Sequence, residues 1–275
     1  KILMLKKRLI FTLLYADGFF MQSRNFNIQK VGDINWLKKN YNLKNISNYI
    51  DELIVLDISR NEKDLNNFIY NLKKISNDFF IPITAGGGIN TFNDASKLLR
   101  NGADKVLVNS ILNTNSKVVY EIADTYGSQS IIGGIDYKFY NNKISCFTHN
   151  GTVLINKIFS NYLKKIYKFP IGEIYINSID QDGTGMGLDT NIINKIPKKF
   201  FKPVILSGGC GNYTHIKEGL EKKGINAVST ANLFNFVNNG LETVRMKLLK
   251  DNFRLPEWNS KSIKHLKGIF NKKIC

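Results

Sequence analysis

At 275 residues and 31.3 kDa, with 43% hydrophobic and 22% charged residues, the chain can bury a full-size core and lacks the composition of a disordered segment. Its formal net charge is +17, but the lysines are scattered among Asn and Ile without a recognisable nucleic-acid module, so the charge suits anionic, phosphorylated small molecules rather than nucleic acid. Cys146, Cys210 and Cys275 are few and far apart with no CxxC, which argues against a disulfide framework or a zinc site and fits a reducing cytoplasm, and no stretch has the length of a membrane span.

Taken in order, Lys6-Lys7-Arg8 before an apolar run imitates the start of a signal peptide, but the run is short and no small-residue cleavage site follows it. It reads as a first strand, Arg8–Leu14. Further runs of strand length fall at Leu53–Asp57, Ile81–Ala85, Lys105–Asn109, Ser130–Asp136, Glu173–Ser178, Pro203–Ser207 and Ile225–Thr230. Between them lie segments with helical spacing, such as 64–72 and 215–220. Near-continuous apolar strands alternating with helices imply a parallel sheet covered by helices. Eight units in this length predict an α/β fold, a closed (β/α)8 TIM barrel over residues 1–251, with an open doubly wound sheet as the alternative. Lys138–His149, with Asn141-Asn142 at its centre, is expected to form a hairpin inserted after strand five and departing from the plain repeat. Residues 252–275 form a basic C-terminal extension, expected to pack as an accessory helix or to fray.

The apolar run Pro82–Ala85 ends in Gly86-Gly87-Gly88, and Thr91 with Asp94 has the spacing of a helix N-cap. Glycines at a strand-to-helix turn present backbone N–H groups to an anion. About 120 residues later Pro203-Val204-Ile205-Leu206-Ser207-Gly208-Gly209 repeats the pattern. The pairs Glu52 and Glu173, Pro82 and Pro203, and Gly87 and Gly208 share one offset. A duplicated half-barrel explains this and places two phosphate sites on opposite sides of one mouth.

Asp57, Asp136, Asp180 and Asp182 stand at or just beyond strand ends, where the catalytic groups of this fold lie. The segment Asp180-Gln181-Asp182-Gly183-Thr184-Gly185 has the acids of a calcium loop, but not its terminal Glu or flanking helices. It reads as a substrate-binding loop, and neither a metal nor a cofactor is expected.

Val55-Leu56-Asp57-Ile58, Thr84–Ile89, Gly102-Ala103-Asp104-Lys105-Val106, Tyr126–Gln129, Ser178–Thr184 and Leu206–Gly209 together resemble the HisF family, the cyclase subunit of imidazole glycerol phosphate synthase. The resemblance covers residues 6 to 250. It implies two phosphate sites, one at Gly87, Gly88, Asn109 and Ser110, the other at Gly183, Thr184, Gly208, Gly209, Ala231 and Asn232. It also implies a heterodimer with a HisH-like glutaminase facing Asp104, whose ammonia enters the barrel past a gate matching Arg8, Glu52, Lys105 and Glu173. Family cyclases use two aspartates as general acid and base. The second matches Asp136, but the first falls on Leu14, which carries no proton, and the family's mobile-loop lysine falls on Gln22. Barrels with leucine at this place resemble those found with surface-sugar pathways, where ammonia converts an N-acetyl to an acetamidino group through a separate sugar amidotransferase. That use is the expected one, with cyclase (lyase) activity impaired. A working cyclase in histidine biosynthesis and a non-catalytic glutaminase activator are the alternatives.

Overall fold

All eight runs are strands in the computed structural model, which describes residues 6–41, 46–77, 80–197 and 200–256. In chain order the strands are β1 (Arg8–Ala16), β2 (Phe19–Arg24), β3 (Asn27–Gly32), β4 (Glu52–Asp57), β5 (Ile83–Gly86), β6 (Lys105–Val108), β7 (Ile131–Tyr140), β8 (Lys143–Thr148), β9 (Val153–Ile158), β10 (Glu173–Ser178), β11 (Val204–Ser207) and β12 (Ala227–Thr230). Eight of them pair in parallel, in the order β1-β4-β5-β6-β7-β10-β11-β12, and β12 returns to β1. The sheet is therefore a closed barrel and the open-sheet alternative is ruled out.

Closure makes both faces of each strand apolar. Ile10, Ile54, Ile132, Tyr175 and Ile205 pack together inside, while outward residues such as Leu53, Val55 and Val106 belong to a larger core under the helices. Each fully buried Leu, Ile or Phe contributes about 1.5–3 kcal/mol, so this double-sided burial is the main stabilising term. Helix starts follow the sequence signals. Asp64 caps the helix Leu65–Ser76 through Asn67 N, Thr91 and Asp94 form a reciprocal capping box on Phe92–Leu99, and Asn212 caps Tyr213–Glu221.

The expected hairpin after strand five is present: β7 continues into β8 through Asn141 and Asn142, both at positive φ, as a tight turn between right-twisted strands requires. Its outer strand β9 pairs only with β8 among the described residues, and Val153, Leu154 and Ile158 on it are exposed. The expectation that this hairpin departs from the repeat is corrected. The first half carries a counterpart, because β1 pairs with β2 and β2 with β3. Residues 19–32 carry polar and charged side chains on their open face, so no apolar run announces them.

At the opposite end, Arg245 pairs with buried Asp51 at 2.9 Å and donates to Pro256 O, while Lys7 N donates to Arg254 O. Residues up to 256 are thereby held on the barrel, and the rest of the basic extension, 257–275, lies outside the described residues. No described helix is long and apolar enough to cross a membrane.

Candidate active site at the barrel mouth

Strand ends β4, β6, β7 and β10 surround a cavity of about 710 Å³ lined by Leu14, Leu56, Asp57, Gly87, Gly88, Asn109, Ser110, Asp136 and Asn177 among others. Asp136 is its central polar group. Asn109 Nδ2 donates to Asp136 Oδ2 at 2.7 Å and Asn177 Nδ2 to Oδ1 at 3.3 Å, so two amides from flanking strands fix the carboxyl. Burial pushes the Asp136 carboxyl up to about 7, the Asp182 charge adds to this, and the bonds from Asn177 and Asn109 oppose it. A carboxyl in that range exchanges its proton near neutral pH, which is what a general acid or base needs. Asn109 Oδ1 is buried without a hydrogen-bond partner.

The barrel's pseudo-symmetry relates the two flanks of the mouth. Asp136 stands opposite Asn177 in the β7–β10 register, and Leu14 stands opposite Leu56 in the equivalent β1–β4 register. One flank of the mouth is a hydrogen-bonding carboxyl between amides. The other is a leucine pair that neither accepts nor donates a proton. Beneath them the buried hydroxyls of Thr12 and Ser229 meet at 2.6 Å, and Tyr175 Oη donates to Ser207 Oγ at 2.8 Å.

Gly87 and Gly88 have φ of +94° and +74°, a conformation glycine adopts freely, and a Cβ on Gly87 would lie 1.9 Å from Asp57 O. The side chain of Lys63 runs over Gly88, where a Cβ would meet its Cδ at 2.3 Å, and its ammonium donates to Asp57 O. Lys63 and Arg60, both lining the cavity, were not singled out from the sequence. The available signal was a lysine six residues beyond strand-end Asp57. Burial lowers the Lys63 pKa, while Asp57 acts the other way.

On the far side Gly208 and Gly209 repeat the geometry with φ of +94° and +91°, and they share a small separate cleft with Gly183, Ala231, Asn232 and Gln22. Thr184 lines neither cavity; its hydroxyl donates to Gln181 O at 2.8 Å, closing its own turn. Asp180 also lies outside both, because its carboxylate accepts from Phe139 N and anchors the β7–β8 hairpin. Asp57 lines the cavity and accepts from Ser59 N at 2.9 Å. Asp182 is buried and binds the β2–β3 hairpin: Ser23 Oγ and Phe26 N both donate to its Oδ2, and Asn25 N donates to its carbonyl. Burial raises the Asp182 pKa against those two side-chain bonds.

The floor of the barrel carries an alternating ring. Arg8 pairs with Glu52 at 2.9 Å and with Glu173, while Lys105 pairs with Glu52 at 3.1 Å and Glu173 at 2.7 Å. Thr84 Oγ1 adds a bond to Glu52 at 2.7 Å. Burial opposes charge on both Arg8 and Glu173, but their mutual hydrogen bond and attraction prevail, raising the pKa of Arg8 and lowering that of Glu173. Asp104 is exposed at the same end, its carboxylate accepting from Ile83 N.

Comparison with known proteins places this arrangement. A family described as "Histidine biosynthesis protein" matches residues 25–238. A protein from Clostridium botulinum (strain 657 / Type Ba4) named imidazole glycerol phosphate synthase subunit HisF is 35% identical over 253 residues, 91% of this chain and 98% of that protein. The chain belongs to the HisF family. Another HisF, from Bacillus cereus (strain G9842), is 35% identical over 89% of this chain and 96% of its own length. A relative from Parasynechococcus marenigrum (strain WH8102), provisionally named imidazole glycerol phosphate synthase subunit hisF2, reaches 44% identity over 88% of this chain and 90% of its own length. Of the two positions at which this HisF-family chain was expected to lack a proton-carrying group, Leu14 lines the large cavity and Gln22 lines the small cleft.

Proposed function

We propose that this chain is the barrel subunit of a glutamine-dependent amidotransferase, paired with a HisH-type glutaminase, that brings ammonia to a phosphorylated ligand at the mouth. The relatives named as synthase subunits support the pairing. The floor ring supports the route, since it gathers four charged side chains, paired with one another, at the end of the barrel where Asp104 stands. The ring is where ammonia would enter, and the packed cluster of Ile10, Ile54, Ile132 and Ile205 is what it would have to pass on the way to Asp136.

The observation that carries the finer reading is the Leu14–Leu56 pair facing Asp136–Asn177. Ring closure by an acid–base pair requires two proton-transfer groups, and here the Leu14–Leu56 pair, in the register equivalent to Asp136–Asn177, supplies none. We therefore assign the chain to a branch of the HisF family that supplies ammonia for another acceptor, an acetamidino sugar of surface polysaccharide or glycan biosynthesis formed with a separate amidotransferase. With ammonium salt and the family's bisphosphorylated substrate, the protein should form imidazole glycerol phosphate about 10²–10⁴-fold more slowly than a two-aspartate HisF, the usual cost of a lost proton-transfer group. Turnover at the rate of a two-aspartate HisF assayed alongside would favour the second reading, a working cyclase, which the extent of identity to named HisF proteins supports. Leu14→Asp should recover part of the deficit.

A further inference from the structure

The two hairpins beside the mouth are pseudo-symmetric twins, but only one presents apolar surface. The apolar side chains of residues 19–32 are all buried or half-buried, whereas Tyr140, Leu154 and Ile158 of the β7–β8–β9 sheet are exposed. The topology does not require such exposure, because the twin does without it. An apolar patch confined to one twin marks a contact surface.

The strand register shows where that patch points. Residues opposite one another in an antiparallel ladder project to the same side of the sheet. Asp136, Phe147 and Leu154 form one such row across the three strands, and Lys138, Ser145 and Ile158 form the next row outward. Tyr140 lies beyond them on the same side, its ring edge-to-face with Phe147 at 6.0 Å, while Lys138 Nζ stands 4.5 Å from the Phe147 ring centre. The reverse side is already covered. Tyr137, Cys146 and Ile155 share a row there and pack into the core under the helices, with Tyr137 against Phe159. One continuous open face therefore starts at the cavity carboxyl and runs outward to Leu154, 45% exposed, and Ile158, 64% exposed.

Charge narrows what this face fits. Between Tyr137 and Ile158 the sheet carries Lys138, Lys143 and Lys157 but no Asp or Glu. An apolar face edged by cations is complementary to an apolar surface edged by carboxylates, and it opposes a second copy of itself. Ammonia reaching Asp136 and released to water would be protonated and lost as a nucleophile, so a supplier needs its consumer seated over the mouth.

We propose that the open face of the β7–β8–β9 sheet, centred on Leu154 and Ile158, is the docking surface for the amidotransferase that consumes the ammonia, a partner presenting an apolar patch edged by Asp and Glu. The inference rests on the reading of this chain as an ammonia supplier and adds the surface across which the ammonia is handed on.

The full chain with its glutaminase, mixed in low salt with the sugar amidotransferase of the same organism, tests the two levels separately. Sedimentation velocity should show a complex that the double variant Leu154→Asp/Ile158→Asp weakens about tenfold or more, as loss of central apolar anchors does. Lys138→Glu should weaken it as well, and Met246→Glu, on an exposed position of the helix Gly240–Lys250, should leave it unchanged. In the double variant, at an unchanged melting temperature, glutamine-driven amidination of the sugar should fall about as far while amidination driven by ammonium salt stays at the wild-type rate. Binding and glutamine-driven amidination that the double variant leaves intact would overturn the docking face and leave the ammonia reading standing. A wild type that neither binds the amidotransferase nor supports glutamine-driven amidination would overturn the ammonia reading itself. Self-association of the wild type that Leu154→Asp abolishes, with no amidotransferase bound, would assign the face to a second copy and overturn the proposal.

Discussion

Asp136 and Asn109 form a pair with one bond made and one bond open. Asn109 gives its amide N–H to the carboxylate and holds a buried carbonyl oxygen with no partner. When the carboxyl takes up a proton, a half-turn of the amide lets that oxygen accept it, so Asn109 can serve both protonation states. The carboxyl's ordinary value of 3.8 in the unfolded chain rises to about 7 on folding. The folded state therefore binds the proton more tightly, and the stability this confers is present in acid and lost as pH rises from about 4 through about 7. Asp136→Asn removes the charge and lets the flipped amide donate to Asn109 Oδ1. It should raise the melting temperature at pH 8, by on the order of a few kcal/mol in stability, and change little at pH 4, while abolishing any proton transfer. Scanning calorimetry of the two proteins at both pH values checks this; equal gains at both would remove the charge-burial explanation.

At the scale of elements, the β2–β3 hairpin ties the two halves of the mouth together. Its grip on Asp182 and its contact with Gly183 involve backbone atoms that cannot swing aside, so a single methyl group should disturb them. Gly183→Ala places a Cβ against Ser23 O and also asks a left-handed φ of +67° of an alanine. The expected result is a loss of about 1–3 kcal/mol together with faster amide exchange confined to residues 19–32. Uniform loss of protection across the barrel would instead mean that the hairpin is part of the global folding unit.

This element also marks where reading the sequence stops. The barrel strands were legible because each is buried on both faces and so reads as an unbroken apolar run, and the start of the helix Phe92–Leu99 because Thr91 and Asp94 have the spacing of a capping box. The hairpin had no such signal. Phe19–Gly32 mixes Met21, Gln22, Arg24, Gln29 and Lys30, and its turn puts Asn25 and Phe26 at positive φ. Phenylalanine rarely marks a turn of that kind; here docking on Asp182 holds it there. In the site, Asp136 and the glycines were singled out because motif and strand end coincide, and the floor ring because the family resemblance implied it. Lys63 was missed because its place over Gly88 depends on a loop's path rather than on its composition. Asp180 and Thr184 stand outside both cavities, the Asp180 carboxylate accepting from Phe139 N of the β7–β8 hairpin and the Thr184 hydroxyl donating within its own turn.

Across the whole molecule, the floor ring balances two cations against two carboxylates, with side chains that water reaches only in part. Removing one member of such a pair typically costs about 3–5 kcal/mol. Because water reaches some of the Lys105 side chain, Lys105→Met should fall at or below the lower end of that range. Its effect should shrink in acid. The pKa of Glu173 is depressed by Arg8 and Lys105 together, so its stabilisation is complete above its unfolded value of 4.5 and fades as pH falls through the depressed one. Urea unfolding of wild type and variant at pH 7 and pH 3 measures the difference, and a pH-independent loss would show that packing, not charge, holds the floor.

The open margin of β9 has a consequence for how the protein behaves in solution. A strand edge unpaired among the described residues and carrying exposed Val153, Leu154 and Ile158 is a template on which a second chain can add a strand. Lys157 lies within it, and the formal excess of positive charge on each chain keeps copies apart only as far as the Debye length, about 10 Å at 0.1 M salt and 3 Å at 1 M. Added salt should therefore promote self-association of this chain instead of dispersing it. Light scattering that climbs between 0.1 and 1 M sodium chloride, and that Leu154→Lys suppresses, is the expected behaviour.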